Sequence, residues 1–114
     1  MAAEKNFENK IKKHLQEQGC WFIKYWAGVA FTKTGIPDLL ICCNGHFVAV
    51  EVKALNGVAS ELQKYNIRKI NEACGIGVVL YPDQFEDFKT LIQCLIDGKE
   101  RCAWETVAKI NKRG

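Results

Sequence analysis

The chain has 114 residues, 48% hydrophobic and 25% charged, and its 16 Lys and Arg against 13 Asp and Glu leave a net charge of +3. That describes one compact domain with no room for a second. No apolar run approaches the roughly 18 residues of a membrane helix, and the polar start Met1-Ala2-Ala3-Glu4-Lys5-Asn6 lacks the form of a signal peptide, so an intracellular location is expected.

Taken in chain order, residues 5 to 18 place Phe7, Ile11, Leu15 and Gln18 on one arc at about 100° per residue and stop at Gly19, which predicts an amphipathic helix. Glu8 falls at the edge of that arc, within reach of a core rim, while Lys12 and Lys13 fall on the solvated back. Residues 20 to 26, rich in aromatic and β-branched types, read as a strand, and Ala27 to Gly35 as a loop. Asp38 to Cys43 and His46 to Lys53 flank Asn44-Gly45, a strong hairpin signal because a type I′ turn needs positive φ at both central residues. Ser60-Glu61-Leu62-Gln63 has the form of a capping box and predicts a helix to about Cys74. Gly75 to Tyr81 is a short apolar strand. Pro82 and an Asp83-x-x-Glu86 cap then open a second amphipathic helix carrying Phe85, Phe88, Leu91, Ile92, Leu95 and Ile96, which stops at Gly98. Residues 99 to 114 are a basic extension of the same domain, with a short helix or strand around Trp104 to Ile110. The order predicts an α/β fold, a mixed sheet with helices on its faces.

The six cysteines, Cys20, Cys42, Cys43, Cys74, Cys94 and Cys102, never form C-x-x-C, and His14 and His46 stand apart from them. Neither a zinc site nor a disulfide framework is expected; the cysteines read as reduced thiols, mostly buried. His14 falls on the apolar arc and His46 follows the turn, which suggests core and loop roles. Trp21 and Trp26 read as packing residues.

The informative charges lie where a strand should have none. Period-2 alternation sends Val48, Val50 and Val52 to one face and Phe47, Ala49, Glu51 and Lys53 to the other. A surface ion pair at a fraying strand end is one explanation for Glu51 and Lys53. Asp38, however, begins the other arm of the hairpin, so two carboxylates and an ammonium converge at one end of an apolar sheet. Two such carboxylates repel unless a hard cation lies between them, and Mg²⁺ binds through one or two carboxylates while keeping waters.

Gly35-Ile36-Pro37-Asp38, twelve residues of hairpin and then Glu51-Val52-Lys53 resemble the PD-(D/E)xK nuclease signature, within its restriction-endonuclease-like αβββαβ core over residues 5 to 97. The glycine before Pro-Asp, Ser60, Gln63 and the glycine-bearing strand resemble the VRR-NUC branch (virus-type replication-repair nucleases), related to archaeal-type Holliday junction resolvases. The resemblance implies that Asp38, Glu51 and the Val52 carbonyl bind Mg²⁺ or Mn²⁺, that Lys53 is the catalytic lysine, and that Glu8 approaches the metal. Gln63 either orients water or Lys53, or serves the capping box. Lys33, Lys24 and Ser60 are candidate DNA contacts.

The implied activity is a metal-dependent endonuclease acting on branched, flapped or junction DNA as a homodimer, either cytoplasmic or as a viral protein in its host cell. A non-catalytic nucleic-acid-binding module of the same fold is the alternative, against which the intact Asp, Glu and Lys set weighs. The charge is partitioned along the chain: residues 1 to 35 carry six basic and three acidic groups, residues 82 to 98 one and four, and residues 99 to 114 five and two. The DNA-facing surface is therefore expected to be more positive than +3 suggests.

Overall fold

The computed structural model describes residues 2–26 and 34–113. Helix α1 (Ala2–Glu17) precedes strands β1 (Trp21–Lys24), β2 (Leu39–Cys43) and β3 (His46–Val52). Helix α2 (Glu61–Glu72) crosses over to β4 (Ile76–Leu80), and a 3₁₀ turn (Pro82–Gln84) leads into α3 (Phe85–Ile96) and α4 (Glu100–Asn111). The sheet order is β1-β2-β3-β4, with the first two pairings antiparallel and β3 parallel to β4, as the crossover through α2 requires. This is the restriction-endonuclease-like arrangement the sequence predicts.

One sheet face forms the main core. Leu39, Ile41, Val48, Val50, Val52 and Val78 meet Phe7, Ile11 and Leu15 of α1, Phe88, Leu91 and Ile92 of α3, and Ala103, Val107 and Ile110 of α4. Residues 100 to 111, whose conformation the sequence leaves open, are thus a core helix. Among the described residues the other face is covered only in part: α2 packs over β4, where Ala59, Ile67, Val79 and Tyr81 make a small second cluster. Gly77 permits that approach, since a Cβ there would lie 3.0 Å from the Ile67 carbonyl oxygen.

Several expectations are corrected. Trp21 and Trp26, read as packing residues, are each 65% exposed; among the described residues α2 leaves the β1–β2 half of the second face uncovered. The thiols are not mostly buried: Cys42 and Cys74 are exposed, Cys20 is half-buried, and among the free cysteines Cys43 alone is buried. Cys94 of α3 and Cys102 of α4 stand side by side with their sulfurs in contact and Cα atoms 6.1 Å apart. Asp83 does not cap α3. Its carboxylate pairs with Arg113, and the chain enters the helix through a 3₁₀ turn in which Gln84 Oε1 accepts from Tyr81 N at 3.1 Å.

Candidate active site

The site is built by the hairpin. Asn44 and Gly45 have φ of 49° and 82°, the pair of positive values a type I′ turn demands, and Asn44 Nδ2 donates to the Leu95 carbonyl at 2.8 Å, fixing the turn on α3. The resulting register pairs Leu39 with Val50. Asp38, one residue before Leu39, and Glu51, one residue after Val50, therefore meet across the two strands. Asp38 is held on both sides: its carbonyl accepts from Tyr25 N at 2.8 Å, and its Oδ2 accepts from Val52 N at 2.8 Å. The loop before it depends on Gly35, whose φ is +77° and whose added Cβ would lie 2.5 Å from Leu62 Cγ of α2. Only glycine suits both conditions.

Glu51 is 3% exposed, and its two oxygens differ. Oε2 lies 3.4 Å from Lys53 Nζ, whereas Oε1 is buried with no hydrogen-bond partner. Burial, reinforced by the neighbouring Asp38 charge and only partly offset by Lys53, pushes the Glu51 carboxyl up to about 8. A buried orphan oxygen beside a second carboxylate is costly to keep unless a cation satisfies it. The donor set is all oxygen, which suits a hard divalent ion, and two carboxylates suffice for one that keeps its waters. Among the described residues no group of three or more His, Cys, Asp or Glu side chains gathers that could hold a metal ion.

Glu8 and Lys24 extend the cluster toward α1. Glu8 is 4% exposed although charged. Its Oε1 accepts from Lys24 Nζ at 2.6 Å, and its Oε2 lies 2.9 Å from Lys12 Nζ and 3.4 Å from Lys5 Nζ. Lys24 also donates to Asp38 Oδ1 at 3.2 Å, so a single ammonium bridges the two acids. Burial opposes ionisation of Glu8, but the hydrogen bonds from Lys24 and Lys12 outweigh it and hold the carboxyl down to about 2. Lys24 is itself opposed by burial yet raised by Glu8 and Asp38. Glu8 thus reaches the site through a lysine, with both of its oxygens engaged by ammonium groups. Lys24, read from sequence as a phosphate contact, is an internal counter-ion. Lys12 was missed, although the Glu8–Lys12 spacing of four residues is a readable helix pair.

Gln63 and Ser60 form the reciprocal capping box of α2: Ser60 Oγ accepts from Gln63 N at 3.1 Å and Gln63 Oε1 accepts from Ser60 N at 2.8 Å. Lys33 lies outside the described residues. His14 packs edge-on against Phe85 and Phe88, as a core role requires, and burial lowers its pKa.

With this geometry in view, the family model "Archaeal holliday junction resolvase (hjc)" matches residues 2–74, more than half of the chain and the whole of the Glu8, Lys24, Asp38, Glu51 and Lys53 cluster. The chain belongs to the archaeal Holliday junction resolvase family. That family lies within the PD-(D/E)xK nuclease superfamily and comprises Holliday-junction-resolving endonucleases that use divalent metals, bind branched DNA and often act as dimers. No curated protein and no solved structure gives a match to this resolvase-family chain. Among its described residues no helix is long and apolar enough to cross a membrane.

Proposed function

We propose that this resolvase-family protein is a Mg²⁺- or Mn²⁺-dependent endodeoxyribonuclease that hydrolyses phosphodiesters at branch points in DNA. The observation that carries this reading is the buried Glu51 Oε1, which no hydrogen bond satisfies, on a carboxylate that stands beside Asp38 at the end of the hairpin. Asp38, Glu51 and the Val52 carbonyl would hold the ion, which supplies a Lewis acid for a phosphate oxygen and a more acidic bound water. Lys53, 3.4 Å from Glu51, places an ammonium where charge develops on the phosphate. Lys24 keeps Asp38 in position from the opposite side, with Glu8 as its anchor. Ser60 and Gln63 set the start of α2 beside the site, and together with the glycine-bearing β4 they support a relationship to the VRR-NUC branch. Lys33 is the further candidate phosphate contact.

A homodimer fits the open half of the sheet. Trp21, Ile23, Leu40, Cys42 and Phe47 share that face by register and none is charged. At the exposures of Trp21 (65%), Ile23 (44%) and Phe47 (46%), these three side chains bare roughly 300 Å² of apolar surface, a substantial core for the ~800 Å² that each partner of a stable interface buries. A second copy brings the same apolar patch, away from the Asp38 and Glu51 end of the face.

The test is cleavage of four-way, flapped, single-stranded and plain duplex DNA with Mg²⁺ or Mn²⁺, with EDTA and Lys53→Ala as controls. Branch-selective cutting abolished by both controls is expected. Activity surviving both, or none on any substrate with either metal, refutes the reading.

A further inference from the structure

The segment that leaves the sheet with Lys53 is thinly held. β3 ends at Val52, and none of residues 53 to 58 is buried, with Leu55 58% and Val58 78% exposed. Lys53 N donates to the Leu80 carbonyl at 3.0 Å, which fixes the start of the segment. Gly57 N then donates to the Ala54 carbonyl at 2.9 Å, closing a turn that folds back over the lysine: a Cβ added at Gly57 would lie 3.4 Å from Lys53 Cδ. The Lys53 methylenes thus lean on a turn that contributes no side chain to the core, while the ammonium at their end has to stay beside Glu51, 3.4 Å away.

A single guanidinium closes on that turn from the far end of the chain. Arg113 Nη2 donates to the Leu55 carbonyl at 2.9 Å, Nη1 pairs with Asp83, and the guanidinium lies over the Tyr81 ring, 3.8 Å from its centroid. Tyr81 directly follows Leu80, the residue that accepts from Lys53 N, so Arg113 is seated beside the strand end that holds Lys53. An exposed ion pair such as Asp83–Arg113 contributes little by itself. Here it orients a rigid fork whose other arm reaches the turn, and a hydrogen bond from a charged donor to a carbonyl is among the stronger ones. Tyr81, Asp83 and Arg113 all lie beyond residue 74, where the family match ends, so the clamp is built by elements outside that match.

We propose that Arg113 is a positioning residue for Lys53: by holding the Leu55 carbonyl against Tyr81 and Asp83 it keeps the 54–57 turn under the lysine and the ammonium at the carboxylate pair. The inference rests on the nuclease reading above. Arg113 itself touches no reacting atom. Releasing the turn lets the Lys53 side chain wander from the place where phosphate charge develops, and a displacement of that size slows the chemical step while leaving the DNA contacts in place.

The experiment compares full-length wild type, Arg113→Met, which keeps methylenes over Tyr81 without the donors, and Arg113→Lys, which restores a charged donor. Four-way DNA is bound in EDTA and cut under single-turnover conditions with Mg²⁺ or Mn²⁺, and amide hydrogen exchange is followed in the metal-free protein. Arg113→Met should lower the single-turnover rate about tenfold with the DNA Kd within about twofold, and Arg113→Lys should recover to within about threefold of wild type. Exchange should quicken over residues 54 to 58 of Arg113→Met and stay at the wild-type level in α2 and α4. An unchanged rate, a loss that falls on Kd instead of on the rate, or exchange that quickens throughout α4 overturns the positioning role and leaves the nuclease reading standing. Wild-type protein that cuts no DNA with either metal overturns both.

Discussion

Removing the charge of Glu51 should make the metal-free protein more stable, and by an amount that depends on pH. Its carboxyl titrates at about 8 in the folded chain against an ordinary 4.5. The folded state therefore holds a proton that the unfolded state releases, and stability falls as pH rises between those values, by about 1.4 kcal/mol per unit. At pH 7 the accumulated cost is about 3 kcal/mol, and above pH 8 it levels near 5 kcal/mol. Glu51→Gln resembles the protonated acid in both states and escapes this cost. Urea denaturation in EDTA should show no difference between the two proteins near pH 4.5, an advantage for the variant of about 3 kcal/mol at pH 7, and a plateau by pH 8.5. Adding Mg²⁺ should narrow or reverse the gap, because the ion stabilises wild type by mass action and the variant far less. An advantage independent of pH, or a variant less stable than wild type at pH 8.5, would show that Glu51 is not a strained acid awaiting a cation.

Three further outcomes follow from other parts of the molecule. Lys24→Met removes the ammonium between Glu8 and Asp38; wild type keeps the Glu8 contribution above about pH 4.5 and loses it as pH falls toward 2, so in acid titration the variant should unfold at a higher pH and should be about 2–4 kcal/mol less stable at pH 7, with Glu8→Gln in the same chain recovering most of the loss. Gly35→Ala combines a positive φ with a clash against Leu62 and should cost about 2 kcal/mol or more in urea titration and lower the cleavage rate, because Asp38 follows three residues later. Wild type is expected to dimerise and Trp21→Glu to stay monomeric in sedimentation velocity, and in a Cys74→Ser background alkylation of Cys42 should speed up on dilution; a monomeric wild type at all concentrations removes the proposed face.

The hairpin was readable because its determinants are local. Asn44-Gly45 fixes the turn, the turn fixes the register, and the register alone brings Asp38 to Glu51. The burial of Glu8 was readable in the same way, from its angle on α1. Its connection to Asp38 was not, since that runs through Lys24 on a strand sixteen residues away, and sequence holds no record of which cation fills a buried gap. The exposure of Trp21 escaped for a related reason. Aromatic content predicts a strand that packs, but whether a helix covers that face depends on how far α2 reaches, which only the crossover geometry decides.

The far edge of the sheet limits how two copies can associate. β4 is an edge strand, yet its outward groups at alternate residues are filled by side-chain amides. Asn71 exchanges two hydrogen bonds with Gly77 at 2.9 Å each, Asn111 accepts from Val79 N at 3.4 Å and donates to the Gly77 carbonyl at 2.9 Å, and Gln84 accepts from Tyr81 N at 3.1 Å. Asn111 and Gln84 are themselves tied to the C-terminal elements: Asn111 ends α4, and Gln84 Nε2 donates to the Ile110 carbonyl at 2.9 Å. An incoming strand would have to displace all three amides, each of which would then need a new partner. Extension of the sheet through β4 is therefore disfavoured. The open β1–β2 face offers association without breaking a hydrogen bond, which is why the dimer prediction rests on Trp21 and Cys42 and not on the edge.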